Sequence, residues 1–404
     1  MRVVELTTVQ VGEFPNLCFV LVRTEDGVVG LGETFFGAPA VAAWIHDSAA
    51  PYLLGQDPRD ITRHSVALRP FVGFSGTGVE NRARSAVDVA LWDVLGQITG
   101  MPLYRLLGGR CRDSVRIYNT CAGATYTRAR PRSPDLPVTN WSTGHVDGEP
   151  YDDLNGFLTD AGALAKELLA EGITAMKIWP FDECAEQSGG HYLSASELRR
   201  GVEPFEKIRE AVGDAMDVVV ELHAKWDLPN AVRIARAVEQ FQPLWIEDPL
   251  RMDDMAALRR FTSATAVPTG ASETVGNSSG IREVVDRGGA SVVLFDPAWA
   301  GGITEARKIS TVAEDRQLPA VCHDCTGPVN FAVNAHLSAS MPSAFIQEGV
   351  RAFYRGWYRQ LVTHLPVVDA GHVTPLEGPG IGTALHPQVW ERPDLEVRSS
   401  RLGD

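Results

Sequence analysis

The chain has 404 residues, of which 44% are hydrophobic and 22% charged, and it carries a formal net charge of −14. This length suits a barrel of about 250 residues plus a smaller partner domain, and the composition is ordinary globular usage with ample apolar residues for a large core. The acidic balance and the lack of any Lys/Arg-rich run argue against nucleic acid as a partner. No apolar run of about 20 residues is present to span a membrane, and MRVVELTTVQ has no signal-peptide character, so a cytoplasmic protein with no membrane partner is expected. The six cysteines (Cys18, Cys111, Cys121, Cys184, Cys322, Cys325) are too sparse for a disulfide scaffold, and reduced thiols are expected.

Residues 1–114 read as an α+β unit. VVELTTVQV and LCFVLVRTEDGVVGLGET alternate apolar and polar residues around a Glu-Asp-Gly turn, the pattern of an antiparallel meander. Gly12 to Asn16 between its strands reads as a mobile loop. ENRARSAVDVALWDVLGQITG has apolar residues at helical spacing and stops at Gly100 ahead of Pro102.

SVRIYNT then opens a second unit near Val115, expected to run over 115–359. After it, residues 124–151 are rich in Pro, Gly, Ser and Thr without any period. This insertion is expected on the catalytic face, where long structureless loops are often lids, and its Arg128, Arg130 and Arg132 suit either an anionic substrate or solvent. A βα rhythm follows: GITAMKIW, DVVVEL, PLWIED, VPTGAS, SVVLFD, LPAVCH and SAFIQE alternate with amphipathic stretches such as NAVRIARAVEQF. Eight strands can be counted, and a (β/α) barrel is the expected fold. The irregular tail, 360–404, is expected to return to the first unit.

The strand ends carry the chemistry. Glu221, Glu247 and Glu273 stand at equal intervals of 26 residues, each closing an apolar run. In a closed parallel barrel such endings lie side by side on the catalytic face. Three adjacent carboxylates repel unless a cation neutralises them, and an all-oxygen set suits Mg²⁺ better than Zn²⁺. The series continues with Asp296, His323 and Glu348. A single strand-end acid is often only a helix cap, but six consecutive ionisable endings are hard to assign to capping. His323 beside Asp296 has the form of an oriented general base. Lys177 ends the second barrel strand and can face an anion. His223, two residues beyond Glu221, shares its face if the strand continues, and can deliver a proton to a leaving group. Cys322 and Cys325 form a C-x-x-C, which without a second pair is weak evidence for metal or redox chemistry.

Taken together, GITAMKIW, the acids of VVVELH, WIEDPL and GASET, FDPAWAGGITEARKI and VCHDCTGP resemble the enolase superfamily, specifically its mandelate racemase-like group. RARSAVDVALWDVLGQITGMPLYRLLGG is similar to that group's junction between cap and barrel. The resemblance spans nearly the whole chain. It implies an α/β fold, a modified TIM barrel under an N-terminal α+β cap completed by the C-terminal segment, with the Gly12 to Asn16 loop covering the barrel mouth. A homo-oligomer is expected as well.

The same resemblance implies removal of the proton α to a carboxylate, with Mg²⁺ on Glu221, Glu247 and Glu273, His323 and Asp296 as base, and Glu348 bonding the intermediate. Lys or His bases acting with Mg²⁺ in this superfamily are an established pattern. Two departures narrow the activity. Where many members have Lys-x-Lys, this chain has Lys177-Ile178-Trp179, which removes a second base and disfavours racemisation. Glu221 and His223 look like the Asp-x-His of acid-sugar dehydratases, whose histidine protonates the departing 3-hydroxyl. The expectation is a hydro-lyase converting a sugar acid to a 2-keto-3-deoxy sugar acid. The alternatives are a racemase, epimerase or cycloisomerase with Lys177 or His223 as opposing base, or a catalytically silent homologue.

Overall fold

The computed structural model describes residues 1–70, 76–128 and 151–403. The expectation of a lid therefore falls largely on 129–150, with Arg130 and Arg132, outside the described residues. No helix among the described residues is long and apolar enough to cross a membrane.

The alternating N-terminal runs form β1 (Val3–Val11), β2 (Leu17–Thr24) and β3 (Val29–Phe35), an antiparallel meander. The helix Val79–Thr99 packs directly across it and ends at Gly100 in a left-handed conformation, φ 67°. Glycine is required at position 32 for this packing, because a Cβ there would collide with the backbone carbonyl of Ala86.

Eight short parallel strands make the barrel: β4 (Val115–Thr120), β5 (Ala175–Ile178), β6 (Asp217–Glu221), β7 (Trp245–Glu247), β8 (Thr269–Ala271), β9 (Val292–Phe295), β10 (Ala320–Cys322) and β11 (Gln347–Gly349). Neighbours pair in parallel from β4 to β10, β11 pairs β4, and an isolated bridge between Ala320 and Ala344 completes the ring. These strands read as continuous apolar runs because helices cover the outside while side chains fill the inside. Tyr118, Val219, Trp245, Leu294, Val321 and Ile346 belong to the buried cluster that fills the interior, so the barrel is a packed core.

The C-terminal segment touches both units. β12 (Val367–Asp369) and β13 (His372–Thr374) form a hairpin whose second strand pairs antiparallel with the start of β4. Further on, β14 (Leu395–Arg401) pairs antiparallel with β1 and becomes an edge of the four-stranded sheet. Cap and barrel also meet at Glu33 of β3, which accepts from the backbone N–H groups of Val329 and Asn330 at 3.1 Å each. These lie in the first turn of the helix Pro328–Ser340, whose partial positive charge suits a carboxylate. Burial nevertheless pushes the Glu33 carboxyl up to about 8.

Where β11 rejoins β4, Arg351 is 1% exposed and grips Asp153 with Nη2 at 2.6 Å and Nε at 2.7 Å. Its backbone N–H donates to Asn119 of β4 at 2.9 Å. Arg351→Leu would leave Asp153 buried and uncompensated, a loss of about 3–5 kcal/mol. Urea unfolding should show a lower midpoint; an unchanged midpoint would mean that Asn119, whose Nδ2 donates to Asp153 Oδ2 at 2.8 Å, satisfies the carboxylate alone.

Candidate active site

Parallel register aligns the ends of neighbouring strands, and Glu221 pairs in register with Glu247. Glu273 lies two residues past the end of β8, carried inward by Ser272 at φ 101°, whose hydroxyl donates to Leu294 O at 2.6 Å. Each of the three offers a carboxylate oxygen, and these atoms lie within 4.8 Å of one another.

The expected lysine is among them. Lys177 Nζ lies 2.5 Å from Glu247 Oε1, 2.8 Å from Glu348 Oε1 and 3.3 Å from Glu221 Oε2. Burial opposes its charge, but Glu247, Glu348 and Glu221 outweigh that and hold the ammonium well above its ordinary range. Glu348 also accepts from the Thr120 hydroxyl, and from the Asp324 backbone N–H at 2.9 Å. Glu247 Oε2 takes the Trp245 indole N–H at 2.7 Å, so the floor of the site is part of the packed interior.

One ammonium does not balance four carboxylates. Burial and the neighbouring carboxylates push Glu247 up to about 8 despite Lys177, and burial also raises Glu273. Glu273 Oε2 is buried with no hydrogen-bond partner. Hard oxygen donors, excess negative charge and an unsatisfied carboxylate oxygen together fit a divalent cation held by Glu221, Glu247 and Glu273.

His323, just past β10, places Nδ1 2.8 Å from Asp296 Oδ2 and Nε2 3.5 Å from Glu273 Oε2. Asp296 serves two ends: its Oδ1 accepts from Ala298 N at 2.7 Å as the N-cap of a short helix, while Oδ2 holds the imidazole. Capping and orientation thus coexist in one side chain. The Trp299 ring lies 4.9 Å from the imidazole, and Asn334 Nδ2 donates to the His323 carbonyl at 2.9 Å. Burial lowers the imidazole's affinity for a proton, but Glu273, Glu348 and Asp296 outweigh it and raise His323 well above its ordinary value. The part of that pull due to Glu273 diminishes when its charge is used to hold a cation.

His223 reaches the site by a different route from the one expected. The strand ends at Glu221, and His223 and Ala224 both adopt left-handed conformations, φ 47° and 54°. An extended continuation is therefore not what aims the ring. The turn is closed by the His223 backbone N–H donating to Glu221 Oε1 at 2.6 Å. The imidazole Nδ1 then meets Asp182 Oδ2 at 2.8 Å, and Nε2 lies 3.4 Å from the Tyr126 hydroxyl. Trp179, in the place of the missing second lysine, packs edge-on to the ring at 5.6 Å.

Sequence reasoning overlooked Asp182 and Tyr126. The only local signal at Asp182 was an acid in the first turn of the helix Asp182–Ser188, which reads as capping. Tyr126 sits at the edge of the aperiodic insertion. Of the other candidates, Cys322 and Cys325 are buried free thiols whose protons burial holds on, so neither supplies a thiolate. Arg128 stacks over Phe14 and Trp357 at 4.9 and 5.8 Å and faces Glu13 at 3.6 Å. The Gly12 to Asn16 segment, expected to be a mobile loop, is a short turn anchored by stacking of Phe14 on Trp357 at 4.7 Å and by Asn16 Nδ2 donating to Thr127 O at 2.7 Å.

Comparison with known proteins gives the family. Residues 3–108 match the family described as mandelate racemase / muconate lactonizing enzyme, N-terminal domain, and residues 160–389 match the enolase C-terminal domain-like family. A solved enolase of the mandelate racemase subgroup from Agrobacterium tumefaciens is 42% identical, with a TM-score of 0.88 over 99% of both chains. Among relatives of named activity, a D-gluconate dehydratase of Thermoproteus tenax is 29% identical over 95% of this chain and 71% of its own. A D-galactonate dehydratase of Ralstonia nicotianae is 28% identical over 95% of this chain and 92% of its own.

Proposed function

The chain belongs to the mandelate racemase/muconate lactonizing enzyme family of the enolase superfamily, and from that premise we propose that it is a Mg²⁺-dependent sugar-acid dehydratase yielding a 2-keto-3-deoxy sugar acid. One observation carries the reading: an Asp-oriented imidazole, His323, and a second imidazole, His223, follow barrel strands β10 and β6, which stand opposite each other around one carboxylate cluster. One imidazole can remove the α-proton and the other can protonate a departing hydroxyl, while Trp179 stands where a second lysine base would be. The relatives that act on D-gluconate, D-xylonate and D-galactonate support the same substrate class.

Mg²⁺ held by Glu221, Glu247 and Glu273 would supply Lewis-acid stabilisation of the oxyanion that develops as the α-proton leaves. The chain's own groups do the rest. His323 Nε2 takes the proton from C2, with Asp296 fixing Nδ1. Lys177 and Glu348 sit where they can bond the substrate carboxylate and its enolic form. His223 Nε2 gives a proton to the 3-hydroxyl as its C–O bond breaks, water leaves, and the enol becomes the 2-keto acid. A cleft of roughly 1060 Å³ opens beside His223, and its lining includes Thr77, Arg251, Thr274 and Asn277, side chains that can hydrogen-bond substrate hydroxyls.

The test is NMR in D₂O, with Mg²⁺ and a panel that includes gluconate, xylonate and galactonate stereoisomers. Keto-acid formation supports the reading. Deuterium at C2 of an otherwise unchanged skeleton would make the protein a racemase or epimerase instead. His223→Asn should sever the two halves of the reaction: α-deuterium exchange persists while keto acid falls by about 10²–10⁴-fold, the usual weight of general acid catalysis. Parallel loss of both would move His223 to substrate binding or to the opposing base.

A further inference from the structure

Two histidines here are built in the same way. Asp296 follows β9 and holds the Nδ1 of His323, which follows β10; Asp182 follows β5 and holds the Nδ1 of His223, which follows β6. In each case the aspartate stands at the start of the helix that follows the strand before, and both contacts measure 2.8 Å. In a ring of eight strands β6 and β10 are four apart, so the two pairs face each other across the barrel mouth.

We propose that Asp182 is a positioning residue for elimination: it accepts the Nδ1 proton of His223, fixes the ring so that Nε2 faces the mouth, and so makes a second His–Asp pair for proton delivery. The proposal rests on the dehydratase reading above. Three features of the cluster carry it. First, a backbone in left-handed conformation at His223 and Ala224 does not by itself fix the ring, which can rotate about its Cβ–Cγ bond. Trp179 packs edge-on and Tyr126 touches Nε2 at the longer distance of 3.4 Å, so the short contact to Asp182 is the one that selects the ring's orientation. Second, Asp182 is itself held. Its Oδ2 also accepts from Lys225 Nζ at 2.6 Å, and Lys225 donates in addition to Glu186 Oε1 at 2.9 Å, on the same helix as Asp182. Third, the acid is 9% exposed and its hydrogen bonds go to side chains: Oδ2 accepts from His223 and Lys225 while Oδ1 has no hydrogen-bond partner, so Asp182 serves the histidine and the lysine rather than a helix N–H. Outer carboxylates of this kind fix which imidazole nitrogen is free, as in metal-bound histidines, where their removal costs about 10–100-fold.

The two contacts of Asp182 fall on one oxygen, which makes the choice of variant informative. An asparagine that places its carbonyl where Oδ2 lies still accepts from both His223 and Lys225, and its amide takes the position of Oδ1, which has no partner. Asp182→Asn therefore keeps the orientation and drops the charge, while Asp182→Ala drops both. In D₂O with Mg²⁺ and a turned-over sugar acid, Asp182→Ala should lower keto-acid formation by about 10–100-fold with KM little changed and α-deuterium exchange intact. Asp182→Asn should recover most of the loss. Equal damage by both variants, or parallel loss of exchange and elimination, overturns the positioning role, as does wild-type elimination in Asp182→Ala.

A second measurement does not need turnover. In protein labelled with ¹⁵N at histidine, the His223 signal, identified by its loss in His223→Asn, should report a proton fixed on Nδ1 in the wild type and in Asp182→Asn, and released in Asp182→Ala. If no sugar acid yields a keto acid, the dehydratase reading fails while this signal still decides whether Asp182 orients His223; an unchanged signal in Asp182→Ala overturns the orientation itself.

Discussion

His323→Asn is expected to abolish both α-deuterium exchange and keto-acid formation, a loss of at least about 10²–10⁴-fold, with the fold intact. The expectation of an intact fold comes from the surroundings. The His323 main chain is held independently of its ring, by Asn334 Nδ2 at its carbonyl and by its own N–H donating to Phe295 O at 2.8 Å. Asp296 keeps its capping bond to Ala298 when the imidazole is gone. Asp296→Asn should be milder, leaving a slower enzyme with a misdirected ring. A thermal melt and exchange by NMR on the same samples separate misfolding from lost chemistry. Persistent exchange in His323→Asn would point to Lys177, whose Nζ lies among Glu247, Glu348 and Glu221, as the base.

Most of the frame was legible because it depends on local rules. Apolar runs closed by an ionisable residue recur at near-constant spacing, and a parallel barrel converts that rhythm into neighbouring side chains on one rim, as the register of Glu221 with Glu247 shows. The strands themselves are shorter than the runs that announced them. GITAMKIW yields only Ala175–Ile178, the four residues that pair with β6.

The parts that were not legible depend on conformation or on distant partners. Parity along an extended chain assigned His223 to the face of Glu221, and that argument fails as soon as two residues turn left-handed. The ring arrives at the mouth through the turn and through Asp182, 41 residues earlier, a pairing that no periodicity encodes. Likewise the hairpin of β12 and β13 pairs with the base of β4 before the chain reaches β1, since an irregular Pro/Gly-rich tail carries no pattern that names its partner strand.

Within the triad, the structure separates two variants that a ligand count alone would treat as equal. Glu273→Gln and Glu247→Gln should each lose most Mg²⁺ affinity, because a +2 ion is left with two carboxylates in a buried site. They should differ in stability. The described contact of Glu273 is His323 Nε2 at 3.5 Å, and its Oε2 has no hydrogen-bond partner, so an amide there disturbs little. Glu247 instead accepts at both oxygens, from Lys177 at 2.5 Å and from the Trp245 indole at 2.7 Å. A glutamine must turn its NH₂ toward one of these donors and leave a buried N–H or ammonium facing it, at about 1–3 kcal/mol or more. Calorimetric titration with Mg²⁺ should therefore show weak or no binding in both, while urea unfolding without metal should leave Glu273→Gln near wild type and shift Glu247→Gln downward. Undiminished Mg²⁺ affinity in either variant removes that residue from the ligand set. Equal stability of the two would mean that Lys177 and Trp245 find other acceptors, and that the floor of the site is less rigid than its short contacts imply.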